Sequence, residues 1–79
     1  MHGFEYAISR VKMGKKMTRI GWNGEGQYIE IGYKITYVKP DGMIDGCDHA
    51  IVFHGTSGVQ VGWLASQADM LAEDWVEID

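Results

Sequence analysis

The stretch that most constrains the fold is residues 61–75, VGWLASQADMLAEDW, because it places a helix-start signal between two tryptophans. Ser66 is followed three residues later by Asp69, as in a capping box, where the hydroxyl accepts a backbone N–H and the carboxylate favours the helix dipole. We therefore expect a short helix to begin at Ser66. Gln67 and Asp69 are expected to point toward solvent or a ligand. A small, closely packing face is predicted from the helical spacing of Ala65, Ala68, Leu71 and Ala72.

The N-terminal segment, residues 4–13, predicts an amphipathic helix. Its apolar residues recur at i, i+3, i+4 and i+7, and this stripe consists of Phe4, Ala7, Ile8 and Val11. Gly14 follows where a left-handed residue commonly ends a helix. Lys15 and Lys16 come next, and two lysines beside a helix end are more often solvated than an anion site.

Between and after the two helices, apolar residues alternate or cluster in short segments bounded by turn residues, which is typical of β-strands. The predicted strands cover residues 17–20, 28–31, 35–38, 51–53, 59–63 and 75–78. The first two should pair across the glycine-rich loop at 21–26, and Pro40-Asp41-Gly42 predicts a hairpin turn. Val76 and Ile78 are expected to face the core. The pattern predicts one α+β domain over residues 1–79, with an antiparallel sheet of about five strands and two short helices.

Size and charge limit the classes of partner. A chain of 79 residues buries only about 60% of its unfolded surface, so we expect a homo-oligomer. The net charge of -4 opposes binding to long nucleic acid, which requires clustered Lys and Arg. No apolar run approaches the roughly 20 residues of a membrane span, and the first residues lack the blocks of a signal peptide. We therefore expect a cytoplasmic protein that does not associate with membranes.

Residues with catalytic or metal-binding chemistry are present but match no known constellation. Cys47, His49 and His54 form C-x-H-x4-H, which lacks the fourth ligand of a closed zinc site, so no metal is expected. A nucleophile–base pair of Cys47 or Ser66 with His49 is an alternative that the sequence leaves open, although no nucleophile motif surrounds Cys47 or Ser66. A solvated surface explains the acidic residues near the second helix better than a catalytic carboxylate pair. We expect no enzymatic activity and no cofactor.

Small-nucleotide binding is better supported by residue type. Aromatic rings stack on purines, and the candidates are Trp22, Tyr28 and Trp63, whereas Trp75 is expected in the core because it opens a strand. Ribose hydroxyls need polar partners, which are available from Asn23, Ser66, Gln67 and Asp69. A pyrophosphate could bind Arg19 and the N-terminus of the second helix. Each of these residues also has an ordinary structural explanation, as a turn former, a cap, a dipole partner or an exposed strand residue. For Trp22, a structural lid and a ligand platform are about equally supported.

Three segments carry a resemblance to a known family: RIGWNGEGQYI at residues 19–29, WLASQ at 63–67 and ADMLAEDW at 68–75. Together they resemble the Thoeris anti-defence proteins of the second type, a small phage and prophage family. The resemblance implies a homo-oligomer, a dimer of dimers, in the cytoplasm of the infected bacterium. It also implies a molecular sponge that binds the cyclic ADP-ribose-type signals of TIR enzymes, and in some members cyclic dinucleotides, without cleaving them.

Although each residue has an ordinary structural explanation, the resemblance implies that one set of them forms a ligand site: Arg19, Trp22, Asn23, Tyr28, Trp63, Ser66, Gln67 and Asp69. Two alternatives remain open. In the first alternative, the chain is a protein-interaction module whose tryptophans dock another protein. In the second, it is a small nucleotide-processing enzyme, which would release a product.

Overall fold

A computed structural model describes residues 1–38, 40 and 44–78 of the chain. Its elements follow in the order α1 (Phe4–Lys12), β1 (Lys16–Arg19), β2 (Tyr28–Val38), β3 (Ile44–Gly55), β4 (Gly58–Val61), α2 (Gln67–Leu71) and β5 (Trp75–Ile78). The strands form one antiparallel sheet in the order β4-β3-β2-β1-β5. The prediction of a small α+β fold with a five-stranded antiparallel sheet and two helices is confirmed.

The sheet order explains why residues 62–74 organise the fold. Strands β4, β3, β2 and β1 neighbour one another in sequence, but β5 pairs with β1 at the opposite edge from β4. The chain must therefore cross the sheet between Val61 and Trp75, and α2 lies on this crossing segment. The crossing segment brings residues from the C-terminal part of the chain over the loop that follows β1.

The core lies between α1 and the sheet. As predicted, α1 turns its apolar stripe inward, with Ala7 and Val11 buried, and Gly14 follows the helix with a φ of 88°. Three residues of the sheet complete the buried cluster, namely Met17, Ile29 and Trp75. Met17 and Ile29 are paired across β1 and β2, so they share the face that α1 covers.

Strand β5 corrects one prediction. Trp75 is fully buried, as expected, and packs 5.6 Å from Phe4 of α1 between ring centroids. Because side chains alternate along a strand, Val76 and Ile78 lie on the opposite face and are only partly buried. Glu77 returns to the α1 face, where its Oε1 accepts a hydrogen bond from Arg10 Nε at 2.8 Å. The expectation that Val76 and Ile78 face the core is therefore wrong.

The central hairpin is longer than predicted. The strands expected at residues 28–31 and 35–38 are one strand, β2, and the strand expected at 51–53 is the end of the 12-residue β3. Their antiparallel pairing runs from Tyr28 opposite His54 to Val38 opposite Ile44. The turn assigned to Pro40-Asp41-Gly42 falls mostly outside the described residues.

Helix α2 begins as predicted but packs differently. Ser66 is its N-cap, and a capping box joins Ser66 to Asp69. However, Leu71 is 79% exposed and Ala68 is also exposed, whereas Asp69 is the buried residue of the helix. The predicted small apolar face is therefore wrong, and Asp69 does not point toward solvent, because the short helix lies with its capping carboxylate toward the sheet.

Candidate ligand-binding cleft

A cleft of about 240 Å³ opens where the crossing segment passes over the loop after β1 and the end of β3. It is lined by Trp22, Asn23, Gln27, Phe53, Trp63 and Asp69. We call it the aromatic cleft. Its residues come from three separate parts of the chain, which only the crossing of the sheet brings together.

The aromatic rings of this cleft touch one another at steep angles. The Trp22 ring stands edge-on to Phe53, Trp63 and Trp75, with ring centroids 5.4, 6.2 and 5.2 Å apart. Phe53 and Trp63 lie nearly parallel, 6.0 Å apart. Edge-to-face contacts of this kind stabilise a cluster beyond the area they bury. The half-buried rings of Trp22, Phe53 and Trp63 thus form a rigid apolar wall that still reaches the surface.

Trp63 owes its position to the turn that ends β4. Gly62 has a φ of 79°, a conformation that side-chain-bearing residues seldom adopt. The backbone N–H groups of Gly62 and Trp63 both donate to the carbonyl oxygen of Ile51, at 3.0 Å each. This turn directs the chain away from the sheet edge and over Phe53.

Asp69 is the polar centre of the cleft. Its Oδ1 accepts hydrogen bonds from Arg19 Nη1 at 2.8 Å and Trp22 Nε1 at 2.9 Å, while Oδ2 accepts a longer one from the Ser66 N–H at 3.3 Å. The Asp69 carbonyl oxygen accepts from Trp75 Nε1 at 3.0 Å. Asp69 therefore links α2 to β1, to the loop after β1 and to β5.

Both carboxylates around Arg19 have altered pKa values. Burial tends to raise the pKa of Asp69, but hydrogen bonds from Trp22, Arg19 and Ser66 together lower it below the ordinary value. The hydrogen bond from Arg19 lowers the pKa of Asp74, and the backbone N–H of Gly21 adds to this effect. Both groups are anionic at neutral pH.

The charge of Arg19 is matched by these two carboxylates. Its Nε donates to Asp74 Oδ1 at 2.8 Å while Nη1 donates to Asp69, and the Arg19 side chain is only 17% exposed. The N-terminus of α2 is likewise occupied by its own capping box. The positive potential predicted for a pyrophosphate at this point is therefore compensated within the chain.

A family comparison adds to this geometry. The family model for the Thoeris anti-defense 2-like domain matches residues 2–78. This chain belongs to the Thoeris anti-defense 2-like domain family. A comparison with curated proteins gives no match. Within the described parts of this Thoeris anti-defense 2-like chain, no helix is long and apolar enough to cross a membrane.

The structure brings together half of the residues predicted to bind ligand in this Thoeris anti-defense 2-like domain. Four of the eight line the aromatic cleft: Trp22, Asn23, Trp63 and Asp69. Arg19 and Ser66 do not line it but hold Asp69 in place through hydrogen bonds. Gln67 is exposed at the start of α2 and is not among the lining residues.

Tyr28 lies elsewhere. Because it neighbours the buried Ile29 in β2, its side chain is on the sheet face opposite α1. There it stacks on His54 with ring centroids 4.4 Å apart, and Lys16 Nζ lies 5.1 Å from the Tyr28 ring centroid. Tyr28 is therefore separated from the aromatic cleft by the sheet.

The sequence interpretation missed Gln27 and Phe53. Phe53 was assigned to a buried strand, and its position beside Trp63 depends on the turn at Gly62, which has no sequence signature beyond the glycine. Gln27 precedes β2, and its Nε2 donates to the carbonyl oxygens of Asn23 and Gly24. For Gln27, the available sequence signal was its position as a polar residue directly after a glycine-rich loop.

The histidines of the C-x-H-x4-H pattern do not converge. His49 and His54 are five residues apart in β3, so their side chains project from opposite faces of the sheet. Among the residues that the structure describes, no group of three His, Cys, Asp or Glu side chains is arranged to hold a metal ion.

Proposed function

We propose that this chain is a molecular sponge that binds a cyclic nucleotide signal in the aromatic cleft and sequesters it without cleavage. The observation that carries the proposal is the convergence of Trp22, Trp63 and Phe53 on an anionic Asp69 in one open cleft. Purine rings stack on such aromatic walls for about 1–3 kcal/mol per base. The ligand class is the cyclic ADP-ribose isomers made by TIR enzymes of Thoeris defence, with cyclic dinucleotides as a second class. Membership of an anti-defence family supports this assignment.

The state of Asp69 favours binding over catalysis. A general base needs a carboxylate that can take a proton, but Asp69 accepts hydrogen bonds from Arg19, Trp22 and Ser66 and has a lowered pKa. Such a carboxylate is suited to orienting a hydroxyl or amino group of the ligand. Sequestration requires tight binding and slow release, which depend on complementarity and need no turnover.

We further propose that the chain acts as a homo-oligomer, a dimer of dimers. Large apolar side chains on its surface support self-association, since Leu64 is 87% exposed, Leu71 79% and Ile20 64%. Sedimentation at micromolar concentration should give a species heavier than the 8.9 kDa chain. Sedimentation of a monomer alone would contradict the oligomer.

The deciding experiment is to load the protein with a cyclic ADP-ribose isomer, remove free ligand, and heat the complex. A sponge releases the intact signal, which mass spectrometry identifies. An enzyme releases a linear product, and a protein-interaction module retains nothing to release. Calorimetry with both ligand classes on the native protein gives the affinity, and absence of binding heat with either class would contradict the sponge.

A further inference from the structure

A second hollow adjoins the aromatic cleft. It has a volume of about 360 Å³ and lies along the turn between β3 and β4. Gln27 and Phe53 line both spaces, so the two adjoin at these side chains. The remaining wall is uncharged and combines the polar Thr56, Ser57 and Gln60 with Val59 and two glycines. We call this space the hairpin hollow.

Two glycines line the hairpin hollow. Gly55 and Gly58 are paired across β3 and β4, two positions along the strands from the pair Phe53 and Gln60 and therefore on the same face. Because paired residues share a face, Gln60 lies on the same side of the sheet as Phe53, and the glycine pair leaves bare backbone beside them. A Cβ atom on Gly55 would lie 2.7 Å from Phe53 Cε2. The Phe53 ring thus lies over Gly55 and separates the two spaces.

The loop after β1 borders the hollow through Gln27. A Cβ atom on Gly24 would lie 2.7 Å from Thr56 Cγ2 and 3.1 Å from Gln27 Nε2, so the loop touches the hairpin turn. Gln27 Nε2 already donates to two loop carbonyls, which leaves its amide oxygen as the group that can accept from a ligand. The hollow is therefore an open extension of the aromatic cleft, with Gln27 at the border between them.

Size favours the use of both spaces by one ligand. Small-molecule sites commonly occupy about 300–1,000 Å³. The aromatic cleft, at about 240 Å³, is below this range, whereas the cleft and the hollow together are within it. A ligand built from two nucleoside-sized halves needs both.

The wall chemistry indicates which part of the ligand enters the hollow. Among the described residues that line the two spaces, none is Lys or Arg, and the hollow offers the hydroxyls of Thr56 and Ser57 with the amides of Gln27 and Gln60. Such groups pair with sugar hydroxyls, which both donate and accept hydrogen bonds, and they supply no charge for a phosphate. We propose that the hairpin hollow is a subsite for the second ribose of the ligand and selects two-sugar ligands over mononucleotides. This inference rests on the proposed function.

The test compares ligands that differ in the second sugar. Cyclic di-AMP, its 2′-deoxy analogue and AMP are titrated by calorimetry into the native protein and into Thr56→Val and Gln60→Ala. Thr56→Val removes a hydroxyl but keeps the methyl that touches Gly24. Each variant should weaken cyclic di-AMP binding about 2- to 10-fold, the effect of one lost hydrogen bond, and the double variant about 4- to 100-fold. Binding of the deoxy analogue and of AMP should change less than 2-fold.

Val61→Thr is the matched control, because Val61 lies on β4 but on the face opposite Gln60. It should bind all three ligands as the native protein does. Equal affinity of the native protein and the double variant for cyclic di-AMP would overturn the subsite while leaving the sponge intact. A native protein that binds a cyclic ADP-ribose isomer but not cyclic di-AMP would likewise overturn the subsite and leave the sponge, and one that binds neither would overturn both. Thermal unfolding of each variant shows whether the fold is retained.

Discussion

The two tryptophans at the ends of the crossing segment have opposite surroundings. Trp75 is fully buried beneath α1, beside Met17 and Ile29, and its Nε1 donates to a backbone carbonyl. Trp63 is half-buried and borders an open cleft, although its ring centroid lies only 6.5 Å from that of Trp75. The same residue type thus completes a core at one end and forms an accessible wall at the other.

The difference comes from what lies on the sheet at each end. The β1–β5 side carries α1, whereas the crossing segment and the loop after β1 lie over the end of β3 next to β4. A sheet face that no helix covers leaves its aromatic residues partly accessible, which is costly unless something else covers them. Stability and ligand binding should therefore respond separately to changes at the two ends.

The largest effect is expected from Trp75→Ala. Removing a buried tryptophan empties the core between α1 and β5, and such truncations cost about 3–5 kcal/mol of unfolding free energy. Urea unfolding followed by circular dichroism measures the loss. A loss below about 1 kcal/mol would remove the distinction between the two tryptophans.

Asp69→Ala should have the next largest effect. It leaves Arg19 and Trp22 without their shared acceptor and removes half of the capping box, at a cost of about 2–3 kcal/mol. Ser66→Ala is the control, since it removes only the cap and should cost about 1 kcal/mol. Similar losses in the two variants would show that the Asp69 contacts to β1 and its loop contribute little.

Trp63→Ala should affect binding more than folding. Loss of one stacking wall should weaken cyclic nucleotide binding by about 1–3 kcal/mol in calorimetry. Tyr28→Ala is the control, because Tyr28 lies on the other face of the sheet. If Tyr28→Ala weakens binding as much as Trp63→Ala, the ligand does not occupy the aromatic cleft.

The smallest effect is a pH dependence of stability. The pKa values of Asp69 and Asp74 are lowered in the folded protein, so the unfolded chain binds protons more readily at these two sites. Their contribution is complete above the ordinary aspartate pKa of about 3.9 and is lost as the pH falls through the folded values. Urea unfolding at a series of pH values from 7 to 3 should show this decline. Asp74→Asn should make it shallower, and an unchanged slope would contradict the assignment.

Local patterns predicted the elements of this fold well. The stripe of α1 and the Ser66–Asp69 capping signal involve neighbours within one helical turn, so the sequence alone defines them. The lengths of β2 and β3 were underestimated because the residues between the predicted strands have no clear alternation. Pairing between two long strands can maintain such residues in a sheet, and that pairing is a tertiary effect.

The site was predicted in part, for a related reason. Trp22 and Trp63 were chosen by residue type, and the crossing of the sheet does place them together. Tyr28 was chosen by the same criterion, but its face depends on the register of β2 with β1, which the sequence does not determine. Asp69 was expected to face solvent or a ligand, and the sequence did not show that it is buried, because a five-residue helix gives too short a pattern to show which side is buried.

Helix α2 cannot persist by itself, since isolated helices shorter than about 12–15 residues are marginal in water. The Asp69 carboxylate accepts the return bond of the capping box from the Ser66 N–H, the ion pair from Arg19 and the indole hydrogen bond from Trp22. Because these three bonds share one carboxylate, we expect them to open together, which would free the helix and the loop after β1 at the same moment. The amide protons of α2 and the indole proton of Trp22 should exchange with solvent deuterium at rates set by a single shared equilibrium.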